Sequence, residues 1–112
     1  MTDLKIDSEI EFENATKSHR AVLFYFSTLS CSVGEALEPK VRELVQNEFP
    51  KICFAWIDMN ALPELLGKCQ VFVEPTLLLY VDSKEYLRKS RNVHLADLKQ
   101  AIRRIYDLAF ED

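Results

Sequence analysis

Glycine and proline are scarce: 2 Gly and 4 Pro in 112 residues. That scarcity excludes collagen-like and low-complexity disordered chains, whose compositions are built on those residues. An excess of basic charge is also missing. Lys and Arg number 14 against 18 Asp and Glu, a formal net charge of -4. Nucleic-acid phosphates are bound by clustered cations, so nucleic acid is not an expected partner. Half of the basic residues do fall between Lys84 and Arg104, but Glu85, Asp97 and Asp107 accompany them, the pattern of a solvated mixed face. No apolar run approaches the roughly 18 residues of a membrane-spanning helix, and no membrane partner is expected. Met1 to Glu13 is acidic and lacks the basic start and apolar stretch of a secretion signal, which predicts a cytoplasmic location. There is no close Cys-x-x-Cys pair, and His19 and His94 are spaced as ligands neither with each other nor with the cysteines. Neither a structural metal nor another cofactor is expected. Three cysteines, an odd number, fit a reducing compartment better than a disulfide framework.

What is present is the composition of one globular domain spanning residues 1–112, with 48% hydrophobic and 29% charged residues and enough length to bury a core without staples. Leu4 and Ile6 predict a short strand, and Asp7 and Ser8 offer capping oxygens to a helix through Ile10, Phe12 and Ala15. Ala21 to Phe26 is a continuous apolar run, the pattern of a strand buried on both faces. The polar stretch Ser27 to Ser32 interrupts it. Leu37, Val41, Leu44, Val45 and Phe49 then recur at helical spacing up to Pro50, with Pro39 predicted to kink that helix. Ile52 to Ile57 reads as a second buried strand with Asp58 to Asn60 as its exit, and a short helix follows from Pro63 to Gly67 or Cys69. Thr76 to Val81 and a weaker strand from Glu85 to Lys89 form a hairpin around Asp82-Ser83-Lys84. Leu95, Leu98, Ile102, Ile105 and Ala109 line one face of a last helix. The order β-α-β-α-β-α-β-β-α predicts an α/β fold with a central mixed sheet flanked by helices.

Between the first buried strand and the kinked helix lies Ser30-Cys31-Ser32-Val33-Gly34-Glu35, and this placement resembles the thioredoxin family. Val22 to Phe26 looks like the strand before that family's cysteine pair, and Pro39 matches its helix-kinking proline. Ile57-Asp58 matches the end of the next strand. Glu74-Pro75-Thr76-Leu77-Leu78-Leu79-Tyr80 is similar to the family's Ile-Pro-Thr-Leu-Leu-Leu-Phe. The resemblance implies the thioredoxin fold over nearly the whole chain. It also implies a cis Glu74-Pro75 bond facing the cysteine site, and Cys31 as the nucleophile. Ser30, Ser32, Val33, Gly34, Glu74, Pro75 and Thr76 would line the substrate groove. The physical reading agrees, because a thiol at a helix N-terminus meets the positive end of the macrodipole and unpaired N–H groups that favour the thiolate.

The chain departs from the family pattern at four places: Gly34 stands at the resolving cysteine, Ser30 at the usual tryptophan, Tyr25 at the buried aspartate and Glu35 at a commonly basic residue. Without a second thiol at 34, Cys31 forms a mixed disulfide but needs glutathione, another protein or another cysteine to release it. Client protein thiols or peptides are therefore the expected partners, with glutathione as a candidate reductant. Glu35 and Glu74 oppose the helix dipole where they lie near the thiol, and a solvated Glu74 would bias the groove toward basic peptides. Cys53, inside a strand pattern, reads as a core thiol. Cys69 falls at the end of the third helix, where a thiol that is exposed can be oxidised and act as a secondary redox group; bridging it to Cys31 would need Cα atoms within about 7 Å. Three alternatives stand beside monothiol redox chemistry. One is a redox-silent assembly or chaperone-like module that holds peptides beside Cys31 and Pro75. Another is a monothiol glutaredoxin with an iron–sulfur cluster, against which the absence of Cys-Gly-Phe-Ser counts. The third is a Cys31–His94 hydrolase pair, for which no orienting group can be named.

Overall fold

The computed structural model describes residues 3–28 and 32–111, with the backbone alone for residues 32–36. Among the described residues the elements run β1 (Asp3–Ile6), α1 (Glu9–Ser18), β2 (Ala21–Ser27), α2 (Ser32–Glu48), β3 (Ile52–Asp58), α3 (Pro63–Cys69), β4 (Thr76–Val81), β5 (Lys84–Ser90) and α4 (Leu95–Ala109). This is the α/β order expected from the alternation of apolar runs and helical periodicity. The five strands form one sheet in the order β1-β3-β2-β4-β5. β1, β3 and β2 are parallel, while β4 and β5 run antiparallel to their neighbours.

The continuous apolar run of β2 follows from its position, because β3 and β4 occupy its edges and helices cover both faces, leaving all seven residues buried. Strand alternation divides its side chains between two cores. Val22, Phe24 and Phe26 pack with Phe12 and Ala15 of α1 and Leu65 and Cys69 of α3. Leu23 and Tyr25 pack with Val41 and Val45 of α2 and Leu98 and Ile102 of α4. Burying each such Leu, Val or Phe contributes about 1.5–3 kcal/mol.

Local chemistry sets the element ends. Ser8 Oγ accepts the Glu11 N–H at 3.1 Å and caps α1. Ile10 points to solvent at 69% exposure, so the buried stripe of α1 rests on Phe12 and Ala15. Pro39 lies inside α2. β2 and β3 each extend one residue past the apolar run, because Ser27 and Asp58 are partners in the parallel register. The hairpin turn is Asp82-Ser83 alone, with φ of 51° and 67°, and Lys84, expected in the turn, instead pairs with Val81. Two consecutive positive φ values suit the right-handed twist of a two-residue hairpin. Arg88 of β5 reaches across to the C-terminus of α3. Its Nη2 donates to the Cys69 carbonyl at 2.7 Å and its Nη1 to that of Gln70 at 2.9 Å, satisfying acceptors the helix itself leaves open.

Gly67 is exposed within α3, does not have a positive φ, and would place a Cβ in open space. Gly67→Ala should raise stability by about 0.5–1 kcal/mol, since alanine loses less backbone entropy on entering a helix. Urea unfolding checks this, and a lowered midpoint at unchanged slope would contradict it.

Candidate functional site

β2 and β4 are antiparallel with Phe26 opposite Thr76. Continuing that register two residues beyond Phe26 sets Thr28 against Glu74. A carboxylate clamp closes the pair: Glu74 Oε2 accepts the Thr28 N–H at 2.9 Å and the Thr28 Oγ1–H at 2.8 Å. Thr28 is buried and Glu74 half-buried. Hydrogen bonds to a charged group in such a setting contribute about 1.5–3 kcal/mol.

The segment before β4 is held from several directions. The Glu74–Pro75 peptide bond is cis, and Pro75 and Thr76 are buried. Thr76 Oγ1 donates to the Val73 carbonyl at 2.6 Å, the Val71 N–H to the Leu66 carbonyl at 2.9 Å, and the Arg91 N–H to the Pro75 carbonyl at 3.0 Å. On the other edge of β2, Trp56 Nε1–H donates to Ser27 Oγ at 2.9 Å. The end of β2, the start of β4 and the exit of β5 thus form one tied platform on the chain's approach to α2.

Of the groove residues read from the sequence, Glu74, Pro75 and Thr76 come together on this platform. Ser30 and Cys31 lie outside the described residues. Ser32, Val33 and Gly34 fall in the first turn of α2, and Glu35 follows in the same helix. Glu74 is not the free solvated charge that the sequence suggested, because Thr28 draws its carboxylate inward. Cys69, whose exposure the sequence left open, is buried. At 8% exposure it packs into the core between α1, α3 and the sheet, and burial holds its pKa above the ordinary thiol value. Burial also pushes Cys53 up to about 11, so neither thiol offers a thiolate at neutral pH. Tyr25 is wholly buried, its ring 6.0 Å from that of Phe54. Sequence reading missed Thr28, whose partner is 46 residues away, and Phe72, which stands 77% exposed two residues before Glu74. The one available signal for Thr28 was the antiparallel register. Among the described residues no group of acidic, His and Cys side chains is placed to hold a metal, and no helix is long and apolar enough to cross a membrane.

A family model described as thioredoxin matches residues 3–104. The chain belongs to the thioredoxin family. Thioredoxin-like protein YdfQ of Bacillus subtilis is 36% identical over 103 residues, covering 92% of this chain and 91% of the relative. Thioredoxin-1 of Saccharomyces cerevisiae is 29% identical over 92 residues, covering 82% and 87%. Among solved structures, a point mutant of thioredoxin from Halobacterium salinarum superposes with a TM-score of 0.81 at 22% identity, covering 99% of this chain and 93% of that one. Fasciola hepatica thioredoxin gives 0.80 at 26% identity, covering 93% and 98%. The mixed five-stranded sheet with its four helices is accordingly the thioredoxin fold, and at the level of the family the chain is a thioredoxin-like redox protein.

The clamp should be felt in this thioredoxin-family chain as both stability and local order. Glu74→Ala should cost about 1–3 kcal/mol and speed hydrogen exchange at the Thr28 amide, while Glu74→Gln, which keeps an acceptor oxygen, should lose less. NMR-detected exchange reads this residue by residue, and unchanged protection of Thr28 in Glu74→Ala would contradict the clamp.

Proposed function

We propose that this protein captures client cysteines through Cys31 alone, by exchange with client disulfides, forming mixed disulfides that an external thiol resolves. The observation that carries the reading is the tied platform of Thr28, Glu74 and cis-linked Pro75 at the end of β2, on the chain's approach to the 17-residue helix α2. Cys31 immediately precedes Ser32, the first residue of that helix. The unpaired N–H groups and positive dipole end of a long helix favour a thiolate at this point.

The chemistry balances as thiol–disulfide exchange. The Cys31 thiolate attacks one sulfur of a client disulfide, the client S–S bond breaks, and its second sulfur departs as a thiolate that takes a proton from water. A Cys31–client disulfide remains. Gly34 stands three residues on and supplies no thiol, while Cys53 and Cys69 are buried, so release falls to a second thiol such as glutathione attacking the mixed disulfide. Ser30, Ser32, Val33, Gly34, Glu74, Pro75 and Thr76 form the groove walls in this reading. The cytoplasm, kept reducing, suits a thiol that must be regenerated from outside.

The competing reading, a redox-silent module gripping peptides in the same groove, is separated by a capture experiment. Lysate treated with mild oxidant should yield mixed disulfides with the wild-type chain that disappear on reduction and are absent with Cys31→Ser. Equal recovery of the same proteins by Cys31→Ser, resistant to reductant, would overturn capture in favour of the silent module.

A further inference from the structure

The β5 strand leaves the sheet at Ser90, which pairs with Thr76. One step further along that antiparallel register, Arg91 stands opposite Pro75 and donates its backbone N–H to the Pro75 carbonyl at 3.0 Å. Its φ is 64°, a left-handed conformation that glycine adopts freely and any residue with a Cβ adopts at a cost. The side chain is exposed. Among the described residues its guanidinium has no hydrogen-bond or ion-pair partner, whereas Arg88 is paired with Glu85 and Arg103 with Glu48. The backbone of Arg91 is thus held beside Pro75, in a loop position where a glycine would be relaxed, and its cation is unpaired among the described residues.

The charges around it reinforce this asymmetry. Glu74, the nearest carboxylate in sequence to Pro75, keeps its charge but is half-buried with Oε2 turned toward Thr28, whereas Arg91 is exposed. Asp58 ends β3, three strand spacings from β5, about 14 Å away and beyond the screening length of about 8 Å at physiological salt. Lys89, paired with Leu77 on the same strand end, adds a second positive charge.

We propose that Arg91 makes the groove beside Pro75 selective for disulfide-bonded client cysteines flanked by carboxylates, so that the preferred partners are acidic cysteine-containing segments. This rests on the capture reading above, in which a client segment lies across Pro75. Across a separation of about 7 Å in water, a unit charge on the client alters the interaction by about threefold. The direction is opposite to the one a solvated Glu74 would impose.

The test uses the full chain and three peptides, each with one cysteine carried as a 2-pyridyl mixed disulfide and flanked by Glu, Gln or Lys. Attack by Cys31 forms the Cys31–peptide disulfide and releases neutral thiopyridone, which is followed by absorbance. Rates are divided by those of the same peptides with N-acetylcysteine amide, an uncharged thiol that removes intrinsic differences between the disulfides. The Glu peptide should react at least about threefold faster than the Lys peptide at low salt. That ratio should shrink at high salt, fall toward one in Arg91→Gln, and persist in Arg91→Lys. A ratio near one in the wild type, a preference for Lys, or an unchanged ratio in Arg91→Gln would overturn the assignment while leaving capture intact, provided the Gln peptide still reacts. Loss of reaction with all three peptides, or equal rates in Cys31→Ser, would remove the capture reading and the selectivity with it.

Discussion

The pairing of β2 with β3 on one edge and β4 on the other leaves none of its seven residues exposed. Its register therefore cannot slip by one residue without exchanging Phe24 and Phe26 with Leu23 and Tyr25 between two differently shaped cores. Everything that matters for the site is positioned by that lock. The end of β2 delivers Ser27 and Thr28 at a fixed height, the parallel partner brings Trp56 to Ser27, and the antiparallel partner brings Glu74 to Thr28. A rigid central strand with short connections gives the chain between Thr28 and Ser32 a defined start and a defined finish.

The clamp is a second constraint built on the first. A carboxylate before a buried cis-linked proline could face outward and charge the groove; here two donors on Thr28 draw it inward instead. Its carboxylate is turned to tie β4 to the end of β2, while on the opposite neighbour the exposed Arg91 has no charged partner among the described residues. The electrostatic character of the platform is thus decided by hydrogen bonding more than by the tally of acidic and basic residues nearby.

Much of the fold was legible because its signals are local. The apolar runs Ala21 to Phe26, Ile52 to Ile57 and Thr76 to Val81 named the strands, and the spacing of Leu98 and Ile102 named the buried face of α4. The misjudged boundaries were those set by pairing. Ser27 and Asp58 are polar residues held in strands by each other, and Lys84 belongs to β5 because Asp82 and Ser83 both accept positive φ. The site was less legible for the same reason. Pro75 and Thr76 carried a family pattern, but the roles of Thr28 and Arg91 arise from register across strands far apart in sequence. The exposure of Cys69 could not be read because its place at a helix end says nothing of the β5 arginine folded over that end.

A single thiol, with its nearest chemical rivals Cys53 and Cys69 buried and held protonated, makes the central claim directly measurable. The rate of Cys31 alkylation by a neutral reagent, followed against pH in the native chain, reports the ionisation of that one group. Capture by Cys31 at the start of α2 predicts a midpoint below the ordinary thiol value of about 8.5, with the signal lost in Cys31→Ser. A midpoint at or above that value would contradict the account and leave the groove beside Pro75 as a binding surface without thiol chemistry.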